Sequence, residues 1–204
     1  LALINSLTKK KGHLLDVGCG TGSFLETCQK DNWQITGMEP DAGARSVAMA
    51  KLNTTLASSL AEVPLKKYDV ITLWHVLEHI AELEETVNRF HQLLSDSGSL
   101  LVAVPNSDSY DADAFGAYWA AFDVPRHLHH FTPETIKRLF EKHGFNLVAK
   151  KPMVFDSFYI SMLSSRYQTG QTDYLKSVRT GLESNWRARK TGNWSSLIYI
   201  FRKA

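Results

Sequence analysis

Short apolar runs alternate along the chain with segments whose apolar residues recur at three- and four-residue spacing. The runs predict strands at 13–17, 33–38, 54–57, 68–73, 98–104 and 145–151, and a last strand at 197–201. The intervening segments predict helices at 22–31, 41–51, 82–95 and 132–143. The last of these has the clearest start. Thr132 is placed to cap it, Pro133 takes the first helical position, and Thr135 stands where the side chain of a capping box would be. Ile136, Leu139 and Phe140 then follow helical spacing, and Gly144 ends the element. Strand–helix alternation of this kind predicts an α/β fold built on a doubly wound sheet, with residues 1–204 forming one domain. Two stretches fall outside the alternation: an aromatic-rich connection at 105–131 and an insertion at 153–195. Ligands in open α/β sheets bind beyond the carboxyl ends of the strands. The first stretch leaves the fifth strand at that end, so both are expected to form a helical cover over it.

The turn between the first strand and the first long helix adds chemistry. It reads Asp16-Val17-Gly18-Cys19-Gly20-Thr21-Gly22, with glycine at every second position. Without Cβ atoms, such a loop lets a ligand lie directly against backbone N–H groups. Seventeen residues after Gly22 the second strand ends in Glu39, well placed for the hydroxyls of a ribose. A nucleoside cofactor follows. The spacing differs from the G-x-G-x-x-G of dinucleotide sites, and Asp16 before the first glycine would repel a pyrophosphate while suiting an ammonium or sulfonium group.

These residues resemble motif I of class I S-adenosylmethionine (SAM)-dependent methyltransferases. Further matches follow in order: Glu39, the strand opening at Tyr68-Asp69-Val70-Ile71, the segment Val76-Leu77-Glu78-His79, Leu93 to Leu100, and Val104-Pro105-Asn106. The resemblance covers about residues 12–152 and the last strand. It implies a Rossmann-like sheet, mostly parallel with an antiparallel last strand, and SAM as cofactor. It also implies a cofactor site made of Asp16, Gly18, Cys19, Gly20, Gly22 and Glu39, with Ser59 and Leu60 beside the adenine and Trp74 and His75 near the methionine and its methyl group. The expected activity is methyl transfer to a small or medium polar acceptor, most readily at oxygen, of sugar-, nucleotide-sugar- or quinone-like character. A non-catalytic SAM-binding or sensing domain and a nucleotide-dependent oxidoreductase are the alternatives.

Composition narrows the setting. With 204 residues, 44% hydrophobic and 22% charged, the chain is long enough for a full core. No apolar run is long enough to span a bilayer, and no signal-peptide pattern opens the chain. Cys19 and Cys28 make no disulfide framework, so a cytoplasmic location is expected. The absence of an initial Met suggests that the native chain carries an N-terminal extension. The net charge of +2 is uneven: residues 150–204 hold ten Lys and Arg against three acids, a net of +7, leaving −5 for the rest. That basic portion suggests an anionic acceptor or partner, or peripheral contact with a membrane surface. Nucleic acid is disfavoured, because no binding motif accompanies the charge.

SAM already carries an electrophilic methyl group, so the protein must orient the acceptor and take its proton. Two clusters qualify. The first is Trp74-His75-Val76-Leu77-Glu78-His79. Its H-x-x-E-H spacing matches a zinc-protease signature, but that signature needs a helix, and here it straddles a strand end. In ubiquinone-type O-methyltransferases, which this segment also resembles, two glutamates and a histidine can hold a divalent cation. His75 stands where the first glutamate would be, so no metal ligands are assigned. The second cluster runs from Trp119 through Asp123, Arg126, His127 and His129 to Phe131. His127 and His129 are the leading candidate bases, with His75 a third. Arg126 is a candidate anion contact, and Asn106, Trp119 and Asp123 are candidate acceptor contacts. The aromatics Tyr110, Phe115, Tyr118, Phe122, Phe155, Phe158 and Tyr159 are further candidates for the acceptor's walls.

Overall fold

A computed structural model describes residues 1–204. In chain order the elements are α1 (Ala2–Leu7), β1 (His13–Val17), α2 (Ser23–Lys30), β2 (Gln34–Met38), α3 (Ala42–Leu52), β3 (Tyr68–Trp74), α4 (Leu83–Leu93) and β4 (Leu94–Pro105). They continue with α5 (Tyr110–Phe115), α6 (Pro133–Lys142), β5 (Phe145–Pro152), α7 (Asp156–Thr169), α8 (Tyr174–Thr191) and β6 (Ser196–Lys203). The strands form one sheet in the order β2-β1-β3-β4-β6-β5. Neighbours from β2 to β4 are parallel, while β6 runs antiparallel to both β4 and β5. This is the Rossmann-like arrangement with a reversed last strand.

Alternation along the strands sends side chains to two cores. On one face Leu15, Val17, Ile71, Leu73, Leu100, Val102 and Phe201 pack with Val87 and Phe90 of α4 and with Ile136 and Phe140 of α6. Leu14, Val70, Leu101 and Ile200 point the other way, onto Leu25 and Cys28 of α2, Leu52 of α3 and Ile4 of α1. Helix α6 starts as its sequence dictates. The Thr132 side chain accepts from Thr135 N, the Thr135 hydroxyl accepts from Thr132 N, and Pro133 opens the first turn.

The largest departures from the sequence expectation fall at two places, the other shared elements agreeing to within two residues at each end. The strand expected at 54–57 shrinks to a single bridge between Ala57 and Met38, because only Ala57 pairs with the sheet edge. The helix expected over 82–95 stops at Leu93, and β4 begins at Leu94, four residues before the strand expected at 98–104.

The segments at 105–131 and 153–195 form a helical cover with its own small core of Ala112, Phe115, Trp119, Ala120, Ala121 and Ile160. Helices α7 and α8 meet through small residues: Ser157, Ser161 and Ser165 on one, Ser177 and Gly181 on the other. At Gly181 the helices approach so closely that a Cβ would lie 2.6 Å from the Phe158 ring. The cover is tied to the sheet by the buried carboxylate of Asp111. It accepts from Trp119 Nε1 (2.9 Å), Ser184 Oγ (2.7 Å) and Ser195 Oγ (2.7 Å), joining α5, α8 and the start of β6. Three donors let a charged group stay buried at modest cost. No helix is long and apolar enough to cross a membrane.

Candidate functional site

The glycine loop sits at the carboxyl end of β1. Gly18 N and Cys19 N both donate to the carbonyl of Met38 (2.7 and 3.0 Å), which fastens the loop to the end of β2. Gly20 has φ +54°, and no atom lies within 4 Å of the place its Cβ would occupy. The loop therefore presents open space along a bare backbone at Gly20. Gly22 ends it as the cap residue of α2.

Two acids bracket the loop. Glu39 is buried; its Oε2 accepts from Gly20 N (2.8 Å) and its Oε1 from Asp41 N (2.9 Å). Asp16 is also buried and accepts from Thr72 Oγ1 at 2.6 Å. Burial raises the Asp16 carboxyl to about 7, the Thr72 hydrogen bond opposing and the nearby Glu39 charge adding to the shift. A cationic ligand beside Asp16 would favour its ionised form. Burial likewise pushes the Cys19 thiol up to about 12, which leaves it unreactive near neutral pH. Ser59 is exposed and Leu60 half-buried against the core, both just past the bridge at Ala57. Trp74, at the end of β3, meets the Phe24 ring edge-on at 5.4 Å, over the start of α2.

His75 follows with φ +55°, a conformation uncommon outside glycine. Its Nε2 lies 3.2 Å from Asp156 Oδ2 and its Nδ1 3.5 Å from Glu78 Oε1. Burial alone would lower its pKa, but the two carboxylates outweigh that and raise it to about 9. His75 is therefore an imidazolium at neutral pH. Glu78 is only 1% exposed, and neither carboxylate oxygen has a hydrogen-bond partner. Its backbone carbonyl accepts from Leu128 N (2.8 Å) and His129 N (3.2 Å), which holds the 105–131 connection against the turn after β3.

These groups open onto a cavity of about 380 Å³ between the ends of β3 and β4 and helix α7. His75, Glu78, Asp123, His127 and Asp156 supply its polar wall, and Ala121, Ile160 and Leu163 belong to the apolar side. Tyr159 and Tyr167 also line it and are exposed. His127 is held from behind, with Nδ1 2.8 Å from the Ala121 carbonyl. Nδ1–H donates there, so in the neutral ring Nε2 carries the lone pair. Asp123 Oδ2 stands 3.8 Å from that nitrogen.

Several expected residues are placed elsewhere. His129 lines a separate crevice, and its buried Nε2 has no partner, so it does not reach the cavity where an acceptor would sit. Asn106 is buried; its side chain donates to the Trp194 carbonyl (3.0 Å) and accepts from Asp108 N (3.0 Å). It holds the turn after β4 rather than facing the cavity. Trp119 is buried in the core of the cover, its indole N–H on Asp111. Arg126 lies at the cavity rim with its guanidinium on Asp123 (2.8 Å), so that arginine and carboxylate neutralise one another. The aspartates Asp156 and Asp111 do not stand out in the sequence, because His75 on the first and Ser184 and Ser195 on the second lie 73 or more positions away.

Glu78, His79 and His127 bring one ligand atom each within 4.8 Å of one another. Magnesium does not fit this set. It demands several oxygen ligands in near-ideal octahedral geometry, and two of the three donors are imidazoles. His75, where a second carboxylate would be needed, is itself a cation.

A family profile described as "Methyltransferase domain" matches residues 2–150. Among curated proteins, the chain is similar to a ubiquinone biosynthesis O-methyltransferase of Nitrobacter winogradskyi, at 25% identity over 160 residues covering 71% of this chain and 60% of that protein. A protein of the same name from Cereibacter sphaeroides is 28% identical, with 70% and 64% covered. The chain thus spans less than two thirds of the length of these relatives. Among solved structures it resembles a TehB-like SAM-dependent methyltransferase of Corynebacterium glutamicum, with TM-score 0.61, 15% identity, and 100% and 86% of the two chains covered. It also resembles a Haemonchus contortus phosphoethanolamine N-methyltransferase holding S-adenosylhomocysteine, with TM-score 0.64, 14% identity, and 96% and 49% covered. At these identities the likeness is one of fold.

Proposed function

Because the chain belongs to the methyltransferase-domain family, whose methyl donor is SAM, we propose that it transfers that methyl group to a hydroxyl oxygen of a small or medium polar acceptor. The observation that carries this reading is the Glu78 carboxylate, buried at the cavity wall with no hydrogen bond to either oxygen and with the charged His75 ring 3.5 Å from Oε1. A buried acceptor left without a donor costs about 1–3 kcal/mol or more when charged. A hydroxyl-bearing molecule in the cavity would satisfy it, and the adjacent apolar wall suits a ring or chain carrying that hydroxyl. The names of the ubiquinone-type relatives support a phenolic or quinol-like acceptor, and a sugar hydroxyl satisfies the same geometry.

The donor would lie across the glycine loop with its ribose on Glu39 and its sulfonium end toward Asp16 and Trp74. Transfer is an in-line displacement: the acceptor oxygen attacks the methyl carbon as the C–S bond breaks and S-adenosylhomocysteine leaves. The acceptor proton goes to Nε2 of His127, whose tautomer is fixed by the Ala121 carbonyl and which faces Asp123 Oδ2 at 3.8 Å. His75 is already protonated, so it serves as a fixed positive charge that holds Asp156 of the cover against the end of β3. Since the donor set does not fit magnesium, no step runs through that ion.

The deciding experiment incubates the chelator-treated protein with SAM and a panel of catechols, quinols and sugars, and follows S-adenosylhomocysteine. Turnover with a hydroxylated acceptor is expected. SAM binding with no product from any acceptor or cell extract would leave a SAM-binding domain without catalysis. Tight NAD(H) binding without SAM binding would favour an oxidoreductase instead.

A further inference from the structure

Helix α8 buries one seam against the cover and leaves a second, apolar one facing outward. Tyr174, Val178, Leu182 and Trp186 recur every four residues along the outer face, with Leu175 beside them. All five are exposed, Leu175 at 86% and Tyr174 at 69%. Nothing in the chain covers them. Scattered exposed apolar residues are ordinary, but a contiguous stripe on one helix marks a contact surface.

The charge beside the stripe selects the occupant. Arg179 lies one turn beyond Leu175 and Lys190 one turn beyond Trp186, on the same edge; Arg189 falls within the stripe's carboxyl end. The Lys190 ammonium sits 4.7 Å over the Trp186 ring. The one acid on the helix, Glu183, is already paired with Arg187 at 2.7 Å. A second copy packed two-fold on this face would bring its own arginines and lysine against these. Nucleic acid would use the charges and waste the apolar stripe. An anionic phospholipid surface satisfies both parts, with hydrocarbon for the stripe and phosphates for the cations, and a tryptophan–lysine pair suits the interface between them.

We propose that α8 is an interfacial helix that docks the protein peripherally on anionic lipid, lying flat along Tyr174–Trp186. Helix α7, packed against α8, carries the exposed Tyr159 and Tyr167 that line the cavity. Docking through α8 would therefore keep the acceptor entrance close to the bilayer. The proposal does not depend on the methyl-transfer reading.

The test is flotation of tag-free protein with large unilamellar vesicles of phosphatidylcholine, with and without phosphatidylglycerol. Flotation is expected only with the anionic vesicles, and high salt should release the protein. Leu175→Glu combined with Leu182→Glu should reduce partitioning at least tenfold. Arg179→Gln and Lys190→Gln should each reduce it about fivefold. All four positions lie outside the cavity and the glycine loop, so SAM affinity and circular dichroism should be unchanged and would expose misfolding. The proposal is overturned by absence of flotation with anionic vesicles, or by equal flotation on neutral vesicles that ignores the two charge variants. A wild-type dimer in sedimentation equilibrium that the double glutamate variant turns into a monomer would also overturn it, by showing that a second copy covers the stripe.

Discussion

The ends of β1 and β2 and the ends of β3 and β4 each hold a candidate half-site, and the two are made of different material. At the first, the chain offers backbone: a loop with Gly20 bare toward open space, pinned to the Met38 carbonyl and to Glu39 within a span of some twenty residues. At the second, the cavity wall is all side chains. His75 and Glu78 come from the turn after β3, Asp123 and His127 from the connection to α6, and Asp156 from the cover. A backbone cradle depends on conformation that glycine permits, so it tolerates little change and suits one invariant ligand. A wall of side chains can change residue by residue without disturbing the fold, and it suits an acceptor that differs among relatives of one fold.

The sharpest way to break this division is Gly20→Val. Its side chain would project into the empty room over the loop, and SAM binding should be lost, by at least a hundredfold in calorimetric titration. Strain from a branched residue at φ +54° should cost the fold only about 1–3 kcal/mol. A variant that binds SAM normally would show that the cradle lies elsewhere. The reciprocal probe is His127→Ala, which should lower turnover by about 10²- to 10⁴-fold, the usual range for a lost general base. SAM affinity should stay within twofold. If His127→Ala keeps its turnover, the proton leaves by another route; if it loses SAM affinity as well, the two half-sites are not separable.

The same division governs what could be read before the structure. Asp16, the glycines and Glu39 declare themselves because loop, strand end and acid lie within one short stretch and each answers a local geometric need. The start of α6 is legible for the same reason: Thr132, Pro133 and Thr135 serve one another across three positions. The acceptor wall is assembled across the chain. The contact of His75 with Asp156 spans 81 positions, and nothing at Asp156 marks it before folding brings the first turn of α7 over the end of β3. Adjacent histidines mislead for a related reason. His127 and His129 are alike in sequence, yet only the first is turned to the cavity. Asn106 and Trp119 look in the sequence like polar handles for a ligand, and in the fold they satisfy Trp194 and Asp111. The expected strand at 54–57 failed because periodicity cannot see whether a sheet edge is available.

Glu39→Ala tests whether the cradle is held by more than glycine. It removes an acceptor for Gly20 N and Asp41 N as well as the proposed ribose contact, so SAM affinity should fall by about 1.5–3 kcal/mol, roughly 10- to 150-fold. Turnover at saturating SAM should change far less. Unchanged affinity would take Glu39 out of the site.

Asp16 provides the mildest and most diagnostic probe. Burial holds its carboxyl at about 7, so at pH 6 most of the ligand-free protein carries it protonated. A sulfonium or ammonium group nearby favours the carboxylate. SAM affinity should therefore fall several-fold from pH 7.5 to pH 6, and Asp16→Asn should bind more weakly but lose that pH dependence. The folding contribution has the opposite sign. An acid whose folded pKa lies above its unfolded value of 3.8 binds its proton more tightly when folded. Its stabilising contribution is full below that unfolded value and is lost as pH rises toward 7 and above. Comparing wild type with Asp16→Asn, Asp16 should thus favour the ligand-free fold more at pH 6 than at pH 7.5, while favouring SAM binding more at pH 7.5. If both quantities moved in the same direction, Asp16 would be a buried structural acid with no part in meeting the cofactor's charge, and the cradle's selectivity would rest on its backbone alone.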